Sequence, residues 1–221
     1  MTRVAGSSGE VTEKAVRRAA VLVIARHGYE AASLRMIAEE AGIKAPSLYN
    51  YIKSKEQLLY DLLKEPLVSM IDEFKERSSG VSDPYERLRL FIEGHLGFHL
   101  DFTREVFIGN MELRNLKKPH FKTVTGLRDQ YSKMLTDIIE DGAAAGRFHV
   151  EDARVTTFAL LAMLSGVCNW YRPDGPSDKE TLVRIHTALA MQMLGVQVED
   201  DTALSVPRPG RTKTGQRTQA A

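Results

Sequence analysis

The feature that most constrains this chain is a recurrent pattern of helix-starting and helix-stopping residues with no strand pattern between them. Ser33, Ser54, Asp83, Asp152 and Ser177 each stand just before a run with apolar residues three and four apart. Their short oxygens suit the exposed N–H groups of a first helical turn. Ser54-Lys55-Glu56-Gln57, Asp83-Pro84-Tyr85-Glu86 and Ser177-Asp178-Lys179-Glu180 add a partner three residues on, the spacing of a capping box. Gly28, Gly42, Gly146 and Gly195 follow such runs, where glycine closes a helix at little conformational cost. The spacing predicts helices over about 11–27, 33–41, 46–51, 54–77, 83–100, 104–115, 119–144, 152–171 and 177–194, with Pro66 kinking or dividing the fourth. No strictly alternating apolar run bounded by turn residues occurs, so the expected fold class is all-α.

The chain has 221 residues, enough for one large domain or two small ones. With 43% hydrophobic and 27% charged residues it has an ordinary globular composition, which excludes a disordered or collagen-like chain. The single cysteine, Cys168, permits neither an internal disulfide nor a cysteine cluster, so a reducing cytoplasm fits. Residues 158–171 form the longest mostly apolar stretch, too short for a membrane span of about 20 residues. The N-terminus has no apolar core of a signal peptide. The organisation expected is a flexible arm (1–9), a helical head (10–70), a larger helical body (71–201) and a disordered basic tail (202–221). The net charge of +1 hides a segregation. Residues 1–57 hold nine basic against six acidic groups, 58–201 hold 17 against 23, and the tail holds four basic and none acidic.

Residues 33–52, SLRMIAEEAGIKAPSLYNYI, read as two short helices joined by a tight turn at Gly42, a helix-turn-helix. Ala38 and Ala41 are small where the helices would cross, and Ile37, Ile43 and Leu48 would form the core between them. That leaves Lys44, Ala45, Ser47, Tyr49, Asn50 and Tyr51 on the outer side of the second helix, a face able to enter a DNA major groove about 12 Å wide. Ser33, the tyrosine hydroxyls, Lys53 and Lys55 suit phosphate oxygens; Lys44, Ser47 and Asn50 suit base edges.

Over roughly residues 10–70 the sequence resembles the TetR family of transcriptional repressors. The resemblance rests on Ala19-Ala20, Gly28-Tyr29, Ile37-Ala38-Glu39-Glu40-Ala41-Gly42-Ile43, Ser47-Leu48-Tyr49 and Ser54-Lys55-Glu56-Gln57-Leu58-Leu59. It implies a three-helix DNA-binding domain on an all-helical effector-binding and dimerisation domain. It also implies phosphate contacts at Ser33, Tyr49, Tyr51 and Lys55, and groove-reading positions at Lys44, Ala45, Ser47 and Asn50. The expected partners are a palindromic double-stranded DNA operator, a small-molecule effector and a second copy of the chain. No cofactor, metal or membrane is expected.

Asn169-Trp170-Tyr171-Arg172-Pro173-Asp174-Gly175, with Gly142–Phe148, is similar to a branch of that family that senses acyl-coenzyme A thioesters. This implies an apolar tunnel, for which Phe91, Leu96, Phe98, Phe102, Phe107, Met111 and Met134 are candidates. Arg104, Arg114, Arg128, Arg147 and Arg172 would meet the phosphates, and Trp170 would stack on adenine. His95 and His99 lie four apart on one helix face and are pocket-lining candidates. With Glu93 they also support a rival reading, an all-helical metal-dependent enzyme. A ligand-binding protein without DNA binding is a third. The acidic balance of the body counts against a polyanionic effector unless arginines cluster locally.

Overall fold

The computed structural model describes residues 5–196, and among them every regular element is a helix. The N-terminal end holds α1 (Ala5–His27), α2 (Leu34–Glu40) and α3 (Ala45–Leu48), and α4 (Lys55–Arg77) leads out of it. The body holds α5 (Pro84–Asp101), α6 (Thr103–Glu112), α7 (Lys118–Ala144), α8 (Ala153–Ser165) and α9 (Lys179–Met193). Short 3-10 turns continue α6 over Leu113–Asn115 and α8 over Gly166–Asn169.

The caps explain where these helices begin. Oxygens of Ser33, Ser54, Asp83, Asp152 and Asp178 accept the N–H groups of Met36, Gln57, Glu86, Val155 and Thr181. The last cap is Asp178 rather than the expected Ser177. The reciprocal halves of the boxes are also missing. The Gln57 amide turns to Asp61 at 2.8 Å and the Glu86 carboxylate to Arg89, because partners along the helix outcompete the first turn. Gly28 and Gly42 take positive φ of 76° and 69°, the left-handed turn that lets α1 and α2 end sharply.

Three boundaries differ from expectation. Helix α1 begins at Ala5, so residues 5–9 of the supposed arm are helical; residues 1–4 and the tail lie outside the described residues. Helix α3 is one turn long and continues only as turns, with Tyr51 N–H donating to the Leu48 carbonyl at 2.9 Å. Helix α4 runs as one element through Pro66. Leu58, Leu59, Leu62 and Leu63 anchor its first half in the head core, and Met70, Ile71 and Phe74 anchor its second in the body core. Both flanks are held by packing, which offsets the hydrogen bond that proline removes.

Two apolar clusters result. The head cluster joins Val16, Ala20 and Ile24 of α1 to Ile37, Ala38 and Leu48, and it also takes in Ile108, Leu116 and Val124 from the body. Ile43 packs only partly buried against it. The body cluster centres on Leu88, Phe91, Ile92, Leu135, Ile138, Leu160 and Met191. The apolar set of α8 and α9 splits: Leu160, Leu164 and Leu182 are buried, whereas Val155, Phe158, Leu189 and Met193 are exposed. No helix among the described residues is long and apolar enough to cross a membrane.

Candidate functional site

The helix-turn-helix presents a small polar face. Buried Ile37, Ala38 and Leu48 hold α2 against α3, and the turn at Gly42 aims the start of α3 outward. Lys44, Ala45, Asn50 and Lys53 are exposed, and Tyr49 keeps 62% of its surface in solvent. An exposed tyrosine with this much free area on a rigid support can meet a partner at little conformational cost. Ser47 and Tyr51 are half-buried, and the Tyr51 ring packs against the head core rather than standing wholly outward. Ser33 accepts the Met36 N–H at 3.2 Å, which leaves its hydroxyl hydrogen to donate outward. Lys55 donates to the Glu30 carbonyl at 3.2 Å and lies 4.3 Å from the centre of the Tyr29 ring, so it also ties α4 to the α1–α2 turn. Arg35, exposed beside Ser33 in the first turn of α2, is a cation that motif matching passes over.

In the body, five helices surround a chamber of about 240 Å³. Helix α4 supplies Leu62, Leu63, Pro66, Leu67 and Met70, and α5 supplies His95, Phe98 and His99. Helix α6 adds Val106, Gly109 and Asn110, α7 adds Arg128, Tyr131 and Ser132, and α8 adds Leu161 and Ser165. The walls are apolar with a polar rail. His95 Nδ1 lies 3.2 Å from the Tyr131 hydroxyl and its Nε2 lies 3.1 Å from Ser165 Oγ. The His99 ring stacks on it at 3.9 Å, with Nδ1 2.8 Å from the His95 carbonyl. Burial, and then the neighbouring His99, hold His95 well below the usual histidine range. Burial also lowers His99, partly opposed by its bond to the His95 carbonyl. Both rings are therefore neutral at pH near 7. Burial raises the Tyr131 hydroxyl and lowers the Arg128 guanidinium. Arg128 donates to the Gly109 carbonyl at 2.6 Å.

An open groove of about 650 Å³ adjoins the chamber, sharing Leu62, Pro66, Phe98 and Glu105 with it. It runs between α1, α4 and α5. Its charges are Arg17, Arg18 and Arg77 against Glu65, Glu73, Glu93, Asp101 and Glu105.

Helix α6 lies between chamber and head. Val106, Gly109 and Asn110 face the chamber, while Ile108 joins the head core. Glu112, 7% exposed, accepts the Tyr29 N–H at 3.1 Å on one oxygen and the Asn115 amide at 2.6 Å on the other. A second link joins Glu56 to His120 Nδ1 at 2.8 Å and to the Lys117 N–H at 3.2 Å. Burial pushes the Glu56 carboxyl up, but these bonds and charges outweigh it and leave it below its ordinary value.

The profile described as "Bacterial regulatory proteins, tetR family" matches residues 16–62, and "Tetracyclin repressor-like, C-terminal domain" matches residues 81–194, over half of the chain. The chain belongs to the TetR family. It is 26% identical over 193 residues to the HTH-type transcriptional repressor KstR2 of Mycobacterium tuberculosis, covering 86% of this chain and 96% of that protein. A crystal structure of a tetR-family regulatory protein from Rhodococcus RHA1 superposes with a TM-score of 0.76 at 29% identity, over 84% of this chain and 98% of that one. The structure of AibR with isovaleryl coenzyme A and operator DNA shares the fold at a TM-score of 0.73 and 22% identity, covering 84% and 100%. This is a family of helix-turn-helix transcriptional regulators and not of enzymes, so the histidine-based enzyme reading is set aside. The rail agrees: both His95 nitrogens are engaged, and Glu93 pairs with Arg77 at 2.9 Å.

Of the residues expected around a TetR effector, the structure brings His95, Phe98, His99 and Arg128 to the chamber. It does not bring the others. Phe91 is sealed in the core, Met134 packs against that core, and Phe102 lies on the groove with 46% exposed. Phe107 and Met111 point to solvent because α6 turns its Val106–Gly109 side inward. Arg104, Arg114, Arg147 and Arg172 are exposed outside the chamber and groove, Arg147 reaching Asp83 and Arg172 the Tyr171 carbonyl. Trp170 stacks over His186 at 6.3 Å instead of lining a pocket. Sequence reasoning missed Tyr131, Ser165 and the α4 leucines. Their apolar spacing is that of any core helix, and no local signal separates cavity wall from core.

Proposed function

We propose that this TetR-family protein is a homodimeric repressor whose heads bind a palindromic operator and whose chamber takes an effector that releases it. Ser33, Tyr49, Tyr51, Lys53 and Lys55 hold phosphates, and Lys44, Ala45, Ser47 and Asn50 face the major groove. The effector is an acyl thioester of coenzyme A, with its acyl group in the chamber and its head group outside. A volume of about 240 Å³ is below the roughly 300–1,000 Å³ of pockets for whole drug-sized ligands, so only the acyl part is enclosed. The observation that carries this reading is the position of α6, one face on the chamber and the other on the head. Filling the chamber moves that helix and with it the angle of the head. The exposed Val155, Phe158, Leu189 and Met193 on α8 and α9 support the dimer.

The test uses the purified full chain and DNA from its own promoter region. Salt-sensitive, sequence-preferring binding by a dimer is expected, with release by an acyl thioester and not by coenzyme A alone. Effector and operator should oppose each other by about 1–3 kcal/mol. Absence of sequence preference, or a monomer in sedimentation at binding concentrations, would overturn the reading. Release by free acids but not thioesters would overturn the effector assignment.

A further inference from the structure

We propose that the enclosed part of the effector carries a hydroxyl group, which the bare Nε2 of His99 accepts, and an oxygen that receives the Arg128 guanidinium. The ligand class is a hydroxylated acyl group rather than a plain saturated chain. This rests on the effector reading above and narrows it.

The tautomer of His99 carries the inference. Its Nδ1 sits 2.8 Å from the His95 carbonyl oxygen, which can only accept, so Nδ1 bears the hydrogen. The buried ring is neutral, so Nε2 holds an open lone pair. That atom has no hydrogen-bond partner among the described residues. It is not sealed either, because the one buried side-chain nitrogen or oxygen left without a partner among them is Thr187 Oγ1. His99 is 7% exposed and lines the chamber, so the free lone pair looks into it. His95, stacked on it, offers no such site: Tyr131 and Ser165 take both its nitrogens. An alkyl chain would leave Nε2 dry and unpaired, which costs binding energy; a hydroxyl satisfies it.

Arg128 sets the second requirement. Its guanidinium carries five N–H donors, yet its one partner among the described residues is the Gly109 carbonyl at 2.6 Å, and no carboxylate pairs with it. A half-buried cation with no carboxylate in ion-pair contact favours a ligand oxygen, the carbonyl of a thioester or the carboxylate of an acid. Glu105 lines the chamber where it meets the groove, so inside it the His99 lone pair and the Arg128 cation together select a ligand with a hydroxyl donor and a carbonyl or carboxylate oxygen.

The experiment measures binding of matched pairs to the wild-type full chain by calorimetry. Each hydroxyacyl coenzyme A is compared with its unsubstituted thioester, and each free hydroxy acid with its fatty acid, over short and medium chains with the hydroxyl at several positions. In at least one pair the hydroxylated member should bind about tenfold tighter or more, since a site built to pair with a hydroxyl rejects its deoxy analogue strongly. In His99→Phe that preference should fall to about twofold or less while operator binding persists. The thioester and acid arms identify the source of the oxygen. Nitrogen-15 NMR of the free protein should show His99 with its hydrogen on Nδ1, which needs no variant. Equal binding within every pair, a preference that survives in His99→Phe, or a hydrogen on Nε2 would overturn the proposal while leaving the effector reading intact. If no thioester or acid binds at all, the effector reading and the proposal fall together.

Discussion

Glu112 is the sharpest test of how the head is held. Its carboxylate is buried where α6 meets the α1–α2 turn, and it accepts from the Tyr29 N–H at 3.1 Å and the Asn115 amide at 2.6 Å. Glu112→Ala strands the Tyr29 N–H, at a cost of about 1–3 kcal/mol, and breaks a second bond to a charged acceptor. Releasing a buried carboxylate from its desolvation offsets part of this. The expected net loss is about 2–3 kcal/mol, which for a chain of this length lowers Tm by roughly 5–10 °C. Glu112→Gln keeps one oxygen for Tyr29, and Asn115 can turn its amide to present an oxygen, so its loss should be about 1 kcal/mol or less. Calorimetric unfolding ranks the three proteins, and operator titration with and without effector measures the coupling. Coupling should shrink in the alanine variant, because only the Ile108 packing then ties the head core to α6. A glutamine variant as unstable as the alanine one, or an alanine variant with unchanged Tm and coupling, would refute the reasoning.

Three further outcomes follow from local geometry. Burial holds His95 and His99 below the ordinary histidine range, so the unfolded chain takes up protons first and stability falls as pH drops below about 6.5. Each histidine that stays neutral should cost about 1.4 kcal/mol by pH ~5.5, read from urea unfolding at pH ~7.5 and ~5.5; equal stability at the two would count against neutral rings. Gly142→Ala gains about 1 kcal/mol of helix propensity but sets a Cβ 2.0 Å from the Phe148 ring, so net destabilisation by about 1–3 kcal/mol is expected, and a raised Tm would contradict the packing. Tyr49→Ala should weaken all DNA sequences alike, whereas Asn50→Ala should lose about 1–3 kcal/mol of discrimination at one base pair; uniform loss for Asn50→Ala would remove it from base readout.

What could be read from the sequence was whatever depends on local chemistry. Caps at Ser33, Ser54, Asp83 and Asp152 and stops at Gly28, Gly42 and Gly146 act within a few residues, so the helices and the head motif were legible. That Pro66 does not divide α4 depends on two cores that meet only in the folded chain. The body site was harder. Phe107 and Met111 looked like tunnel wall, yet α6 buries the face carrying Val106, Gly109 and Glu112. A buried face holding a glycine and a carboxylate has no apolar period to find. Arg147 illustrates a related limit: sequence shows that a cation exists, not that Asp83 pairs with it, whereas Arg128 does reach the chamber.

Charge decides where an effector's head group can go. The groove beside the chamber is the larger opening, but its cations are largely spoken for, with Arg17 on Glu65 and Arg77 on Glu73 and Glu93. Glu105, at the junction of groove and chamber, has no ion pair among the described residues and faces both. A polyanionic nucleotide lying there would meet that carboxylate, with Arg18 the one groove cation without an ion pair among the described residues. Asn110 lines the chamber but not the groove and is exposed, next in sequence to Gly109, whose carbonyl binds Arg128. If the effector is the thioester proposed above, a head group leaving on the Asn110 side avoids the acidic groove. Glu105→Gln should then leave thioester affinity within about twofold, whereas a head group in the groove would gain about two- to fivefold from removing the charge. Comparing the thioester with its free acid in this variant isolates the head group. A gain confined to the thioester would place the nucleotide in the groove, between α1 and α5, where it would touch the head helix directly and need no relay through α6.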